Sequence, residues 1–184
     1  MVEYYNENVA FDIDPRIYLS PFFDDWYRIV KSILLSKEFQ KRKLFFHHYN
    51  TTVWEHSIKV SFKAYRWAKV LGVSKEVCAI AGLLHDFYPD AWIYNEKLAE
   101  IDNGMYLTEC GVNKPLFKRH GFVHAAAAAQ NYIKFFPELE NKKVTDSIRK
   151  HMFPLNFTPP KYAEGYVITI IDKIVSFKEI FCWF

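Results

Sequence analysis

The chain has 184 residues, of which 51% are hydrophobic, 18% aromatic and 24% charged, with a formal charge of +3 and seven histidines. That apolar content excludes a disordered chain, and six Gly and eight Pro exclude collagen-like or low-complexity sequence. The length suits a single domain spanning 1–184, able to bury a core without disulfides, and the mild positive balance argues against a stable nucleic-acid complex while suiting a small anionic ligand.

The periodicity predicts helices nearly throughout, with no convincing strand and no internal repeat. Phe22, Trp26, Ile29, Ile33 and Leu34 recur at helical spacing and predict a first helix over 22–39. Lys41-Arg42-Lys43 reads as a solvated connector. Thr52-Val-Trp-Glu55 is a capping box opening a second helix. Its stripe runs Val53, Val60, Ala64, Trp67 and Leu71, and Gly72 ends it. His56 lies on that stripe and therefore points inward. A third helix starts at the N-cap Ser74 and runs to His85-Asp86, with Cys78, Ala81 and His85 on one face and Pro89 beyond. Residues 87–118 are less regular and predict short helices and loops.

A fourth helix follows Gly121. His124 opens it, and Ala125 to Ala129 form a tight packing face. A fifth, near 142–152, aligns Val144, Ile148 and His151, with Pro154 after it. Pro159-Pro160 reads as the start of the last helix, whose stripe is Gly165, Ile168, Asp172 and Val175.

Cys78, Cys110 and Cys182 are far apart and odd in number, with no C-x-x-C pair, so a reduced, intracellular chain is the natural reading. The N-terminus is acidic and polar, unlike a signal peptide, and no apolar run approaches the roughly 18–20 residues of a membrane helix. The expectation is a cytoplasmic protein. Ile180 to Phe184 form an apolar end, read as docking on the body, as a homodimer contact, or as a shortened terminus.

His56, His85-Asp86, His151 and Asp172 thus fall at inward or helix-end positions, with His124 a further member. A single inward histidine is more often a hydrogen-bonded core residue than a ligand. Several ionisable groups buried in one bundle are costly unless paired or metal-bound, and imidazole with carboxylate suits divalent transition metals. A metal centre between helices accounts for all of them at once, although spacing alone does not prove that they converge.

The same residues resemble the HD superfamily of metal-dependent phosphohydrolases, whose pattern is H…HD…D. Here it is similar to His56 in Trp54-Glu-His-Ser, His85-Asp86 in Leu83-Leu-His-Asp, and Asp172 in Ile171-Asp-Lys. An extended subset adds two histidines, matched by His124 in Val123-His-Ala and His151 in Arg149-Lys-His-Met. The resemblance spans about residues 46–180, with 1–45 as an N-terminal helix and connector. It implies an all-α fold with the metal site among core helices. It also implies that His56, His85, Asp86 and Asp172 surround one divalent ion, and that Asp86 bridges to a second held by His124 and His151. The resemblance implies one or two divalent ions per chain, from among Fe, Mn, Co, Ni, Zn or Mg. A hydroxide made on the metal would then attack a phosphate ester or anhydride, with a nucleotide as the expected substrate.

Relatives that follow the HD pair with Gly and a phosphate-contacting Lys differ from this chain, which has Phe87-Tyr88. Phosphate contact is therefore assigned to Lys118, Arg119, His120 and Lys173, with Asp86, His120 and Lys173 as catalytic candidates. His120 competes with His124 as ligand, and the position of His124 in the Ala-rich helix favours it. His47 and His48 read as loop residues near the site mouth, the second stacking on aromatics, and are left out of the ligand set. Glu55 has a sufficient role in the cap. Tyr88 and Trp92 are candidates for stacking on a base. The same six ligands resemble both symmetrical diadenosine tetraphosphate hydrolases and the di-iron site of myo-inositol oxygenase. A di-iron oxygenase and a non-catalytic metal-binding module are the alternatives to hydrolysis.

Overall fold

The structure is a computed structural model that describes residues 12–48, 51–88 and 120–181. Four elements, α1 (Pro15–Tyr18), α2 (Phe23–Leu34), α3 (Lys37–Gln40) and a 3-10 turn (Lys41–Leu44), lead into a small hairpin of β1 (Phe46–His48) and β2 (Thr51–Thr52). Five α-helices follow: α4 (Val53–Leu71), α5 (Lys75–Leu84), α6 (His120–Phe135), α7 (Lys142–Lys150) and α8 (Ala163–Phe181). The fold is all-α, as expected, apart from the hairpin. Helix α4 packs on α5 and α8, while α7 packs on α5, α6 and α8. Among the described residues no helix is long and apolar enough to cross a membrane.

The predicted first helix is broken. Ser36 takes an extended backbone and its hydroxyl accepts from Phe39 N at 3.2 Å, so it caps α3 instead of continuing α2. The basic connector is not solvated throughout either. Arg42 is buried, with its guanidinium 4.7 Å from the Phe45 ring centre and 4.5 Å from that of Phe87. A planar, weakly hydrated cation suits such a slot between rings. The hairpin is antiparallel, with Phe46 opposite Thr52, and Val53 N donates to Phe45 O at 2.7 Å, tying it to the start of α4. Pairs this short leave no alternating pattern to read.

Helix α4 runs from the capping box to Gly72, whose φ of +70° is the left-handed C-cap conformation. Its buried face passes through Val53, Val60 and Ala64 but continues through Tyr65 and Ala68, leaving Trp67 and Leu71 exposed. The expected stripe therefore ends early. Helix α6 begins at His120, one residue before Gly121, so that glycine lies inside the helix. The diproline does not start the last helix. Pro160 instead packs beside Gly165, where a Cβ would lie 2.6 Å from the Pro160 Cβ. Buried Glu164 anchors the first turn of α8 by accepting from Ser74 N at 3.3 Å and Lys143 Nζ at 2.8 Å.

The core is rich in fully buried rings, among them Trp26, Phe39, Trp54, Tyr65 and Tyr132. Burial pushes the Cys78 thiol up to about 12, as suits an inert core residue. Cys110 and Cys182 lie outside the described residues. At the crossing of α4 and α5, Trp26 Nε1 donates to Ser61 Oγ at 2.9 Å, and Ser61 Oγ donates to Ala79 O at 2.7 Å. Gly82 faces Ser61 so closely that an added Cβ would lie 2.8 Å from Ser61 Cα. This contact brings His56 on α4 within reach of His85 at the end of α5.

Candidate metal centre

His56 sits in the first turn of α4 because the capping box fixes where that helix begins. Thr52 Oγ1 accepts from Glu55 N at 3.2 Å, and Glu55 accepts from Thr52 N at 2.9 Å, the structural role expected of Glu55. His85 and His151 are the C-cap residues of α5 and α7. His124 lies in the first turns of α6, and Asp172 lies midway along α8. His56, His85, Asp86, His124, His151 and Asp172 are all buried.

Three of these imidazoles are oriented by what their Nδ1 meets. His85 Nδ1 is 2.9 Å from Gly82 O, and His151 Nδ1 is 2.8 Å from Ile148 O. His56 Nδ1 is 2.8 Å from Glu179 Oε2. A carbonyl or carboxylate in that position requires Nδ1–H to donate, which makes Nε2 the nitrogen that can ligate a metal. Each of the three Nε2 atoms faces the shared interior.

There the donors form two groups on one carboxylate. On one side, His56 Nε2 is 3.2 Å from both His85 Nε2 and Asp172 Oδ1, and Asp86 Oδ2 is 3.4 Å from His85 Nε2 and 3.9 Å from His56 Nε2. On the other, His124 Nε2 is 3.0 Å from His151 Nε2, and Asp86 Oδ1 lies 3.3 Å and 3.7 Å from those two nitrogens. Ligands about 2.0–2.2 Å from a shared zinc-like ion stand roughly 3 to 3.5 Å from one another. Most of the observed spacings fit that requirement, with the 3.7 and 3.9 Å separations a little beyond it, and the donor set of imidazole nitrogens and carboxylate oxygens suits divalent ions. His56–His85–Asp172, His85–Asp86–His151 and His47–His56–Asp86 are each groups that could hold a metal.

The electrostatics follow from packing bases against acids out of water. Burial alone would depress the His56 imidazole, but hydrogen bonds with Asp172 and Glu179 outweigh it and raise it to about 10. Burial would lift the Asp86 and Asp172 carboxyls. The surrounding histidines instead hold both well below the usual carboxylate range. His151, pressed by burial and by His85 and His124, is pushed down to about 3. The carboxylates are thus ionised and His151 neutral at neutral pH, the forms that ligate a cation, whereas His56 without a metal holds a second proton that a cation would displace from Nε2.

Two residues outside the sequence-derived set stand at this centre. His47, on β1, is buried, stacks on the His56 ring at 3.9 Å between centres, and places Nε2 3.1 Å from Asp86 Oδ2. The expected stacking of His48 concerns a side chain outside the described residues. Glu179 orients His56 and also accepts from Lys59 Nζ at 2.9 Å, and His56 and Lys59 hold its carboxyl at about 2 against the effect of burial. Its spacing of seven residues from Asp172 puts both on one face of α8, a signal available in the sequence.

The proposed phosphate contacts are distributed differently. Lys173 is exposed and its ammonium donates to His151 O at 3.2 Å, so it meets the backbone of a candidate ligand. Lys118, Arg119 and the His120 side chain lie outside the described residues, as do Pro89 and Trp92. Tyr88 is buried edge-on to His124, with ring centres 6.1 Å apart, and Phe87 is in the core.

An all-α bundle that gathers buried histidines and aspartates between its helices is the architecture of a metal-dependent hydrolase class. Residues 53–176 match the HD domain, and the chain belongs to that family. The family is mostly phosphohydrolases and binds divalent metals, which places this chain among hydrolases at the superfamily level. Neither the curated proteins nor the solved structures contain a significant match to it.

Proposed function

We propose that the chain is a phosphohydrolase for a small phosphate ester or anhydride, of which a nucleotide is the favoured class, working at a binuclear centre bridged by Asp86. The observation that carries this reading is the division of Asp86. Its Oδ2 faces His56 and His85, and its Oδ1 faces His124 and His151. A carboxylate placed in this way could serve both groups of histidines, so Asp86 would be shared between two ions held there. His56, His85 and Asp172 complete the first group, and His124 and His151 the second.

Divalent ions held by these residues would supply Lewis acidity toward a phosphoryl group and activation of water at neutral pH. The chain's own residues hold the arrangement ready. The carbonyls of Gly82 and Ile148 and the Glu179 carboxylate keep Nδ1 protonated on His85, His151 and His56, so that Nε2 is the nitrogen each turns toward a metal. Burial of every donor limits competing water and strengthens their field at a phosphoryl oxygen. Phe87 occupies the core where many relatives have a small residue before a phosphate-binding lysine. Anion contact is therefore assigned to Lys118, Arg119, His120 and Lys173, on the segments that precede His124 and follow Asp172. The net charge of +3 favours the approach of such an anion.

The test is elemental analysis of purified protein, followed by a hydrolysis screen of nucleotides and phosphate esters after reconstitution with Mn, Co, Ni, Zn, Mg or Fe singly. Two ions per chain and phosphate release are expected, and Asp86→Ala should lose both. Unchanged metal content in Asp86→Ala would refute the centre. Oxygen consumption without phosphate release would refute hydrolysis in favour of a di-iron oxygenase.

A further inference from the structure

Behind His56, on the side away from the candidate ligand atoms, lies a cavity of about 770 Å³ between α1, α4 and α8. The His56 ring separates the two spaces. Its Nε2 faces Asp172 and His85, while its Nδ1 faces Glu179, which lines the cavity. Lys59, Lys63 and Arg66 project from one face of α4, and Lys178 faces them from α8. Such a volume lies within the range of about 300–1,000 Å³ usual for small-ligand sites.

Among the described residues the charges of this wall do not cancel. Asp14 is matched by Arg16 at 2.7 Å, and Glu179 by Lys59 at 2.9 Å. Lys63, Arg66 and Lys178 then have no carboxylate partner among the described residues. Arg66 lies over the Phe22 ring, 5.3 Å from its centre. Burial, with Lys178 and Lys59 as like-charged neighbours, pushes the Lys63 ammonium below its ordinary value. Cations gathered in a concavity repel one another, and the focused field attracts a counter-anion.

We propose that this cavity is a second anion site, distinct from the metal centre, that binds a polyphosphate chain through Lys63 and Lys178, with Arg66 at its rim. Three cations without a carboxylate partner among the described residues favour a ligand of several negative charges, and a volume of this size would be left largely empty by a monatomic anion. Lysine ammoniums are point-charge donors suited to phosphate oxygens. Ile17, Phe62 and Val175 provide an apolar wall beside them. The phosphate chain can belong to an inorganic polyphosphate or to a nucleotide.

The test is calorimetric titration of the full chain with tripolyphosphate and, separately, with ATP, in excess EDTA so that the metal centre does not contribute. Saturable binding at one site per chain is expected, and the Lys63→Gln/Lys178→Gln double variant should bind at least tenfold more weakly. A control pair on other faces, Lys31→Gln/Lys142→Gln, should match the parent protein. Equal affinity for the two ligands identifies the phosphate chain as the recognised group, and tighter ATP binding adds the nucleoside against the apolar wall; both support the site. No binding of either ligand, or binding that the double variant retains, overturns it. Thermal unfolding checks each variant, and Lys178→Glu alone gives the same reading should the double variant fail to fold. The metal-free assay keeps this outcome separate from failure of the hydrolase reading.

Discussion

A methyl group added at Gly82 would sit 2.8 Å from Ser61 Cα and 3.1 Å from Ser61 N. Carbon atoms in contact settle at about 3.5–4.0 Å, so Gly82→Ala requires α4 and α5 to part by roughly 0.7 Å. The opposing atoms are backbone and cannot rotate aside. Overpacking of this kind costs about 1–3 kcal/mol, and the better helix propensity of alanine offsets about 1 kcal/mol. Ser61 also holds the buried bridge between Trp26 and Ala79, and straining it adds about 1 kcal/mol. A net loss of about 2 kcal/mol follows. The same displacement moves His85 from His56, whose Nε2 atoms are 3.2 Å apart. Metal affinity should therefore fall about 10-fold or more, the scale seen when support of a ligand is lost. Urea unfolding of metal-free protein measures the first quantity, and competition with a chromophoric chelator the second. Gly72→Ala is the contrasting control: nothing lies within 4 Å of its Cβ, but its φ of +70° is strained for alanine, so it should cost about 1 kcal/mol with unchanged metal affinity. If Gly82→Ala kept parental stability and metal affinity, the close crossing could not be what sets the geometry of the centre.

In metal-free protein, stability should pass through a maximum with pH. His151, held down to about 3 against an ordinary 6.5, contributes stability above 6.5 that is lost as pH falls toward 3; His56, raised to about 10, contributes stability below 6.5 that is lost as pH rises toward 10. Urea midpoints across pH 3–10 measure both limbs, and His151→Gln should flatten the acid limb and His56→Gln the alkaline one. Glu179→Gln should weaken metal binding about 10- to 100-fold by chelator competition, because the amide no longer fixes a proton on His56 Nδ1 as strongly. Arg42→Ala should destabilise the fold by about 2 kcal/mol in the same unfolding assay, through loss of two ring contacts and a buried stem.

Much of the helical frame was legible because its boundaries are local chemistry. Thr52 with Glu55, Ser74, and Gly72 are short-range signals, and the structure starts or ends helices at each. The errors arose where tertiary contacts decided. Ser36 is a plausible mid-helix residue until its buried hydroxyl is seen capping α3. Arg42 resembles any solvated arginine until Phe45 and Phe87 close around it. Pro159-Pro160 has the composition of a helix start, but Pro160 serves as a surface for Gly165.

The candidate ligands were legible for a different reason. Each lies on an apolar stripe or at a helix end, where an ionisable side chain contradicts its surroundings unless something compensates for burial. His47 and Glu179 lack that contrast. His47 sits in a hairpin too short to show which face is buried, and Glu179 follows Lys178 in a turn that reads as an ordinary solvated helix end. Only the packing of β1 and α8 around His56 shows that one stacks on the ring and the other orients it. Residues that donate atoms to the centre announce themselves by being polar in apolar company. Those that orient the donors do so from the boundary between core and solvent, where a charged residue is unremarkable in sequence. Glu179 joins these two roles physically, since one carboxylate oxygen meets His56 and the other meets Lys59 on the cavity wall. Substitutions on that wall should therefore reach the metal centre through the orientation of one imidazole.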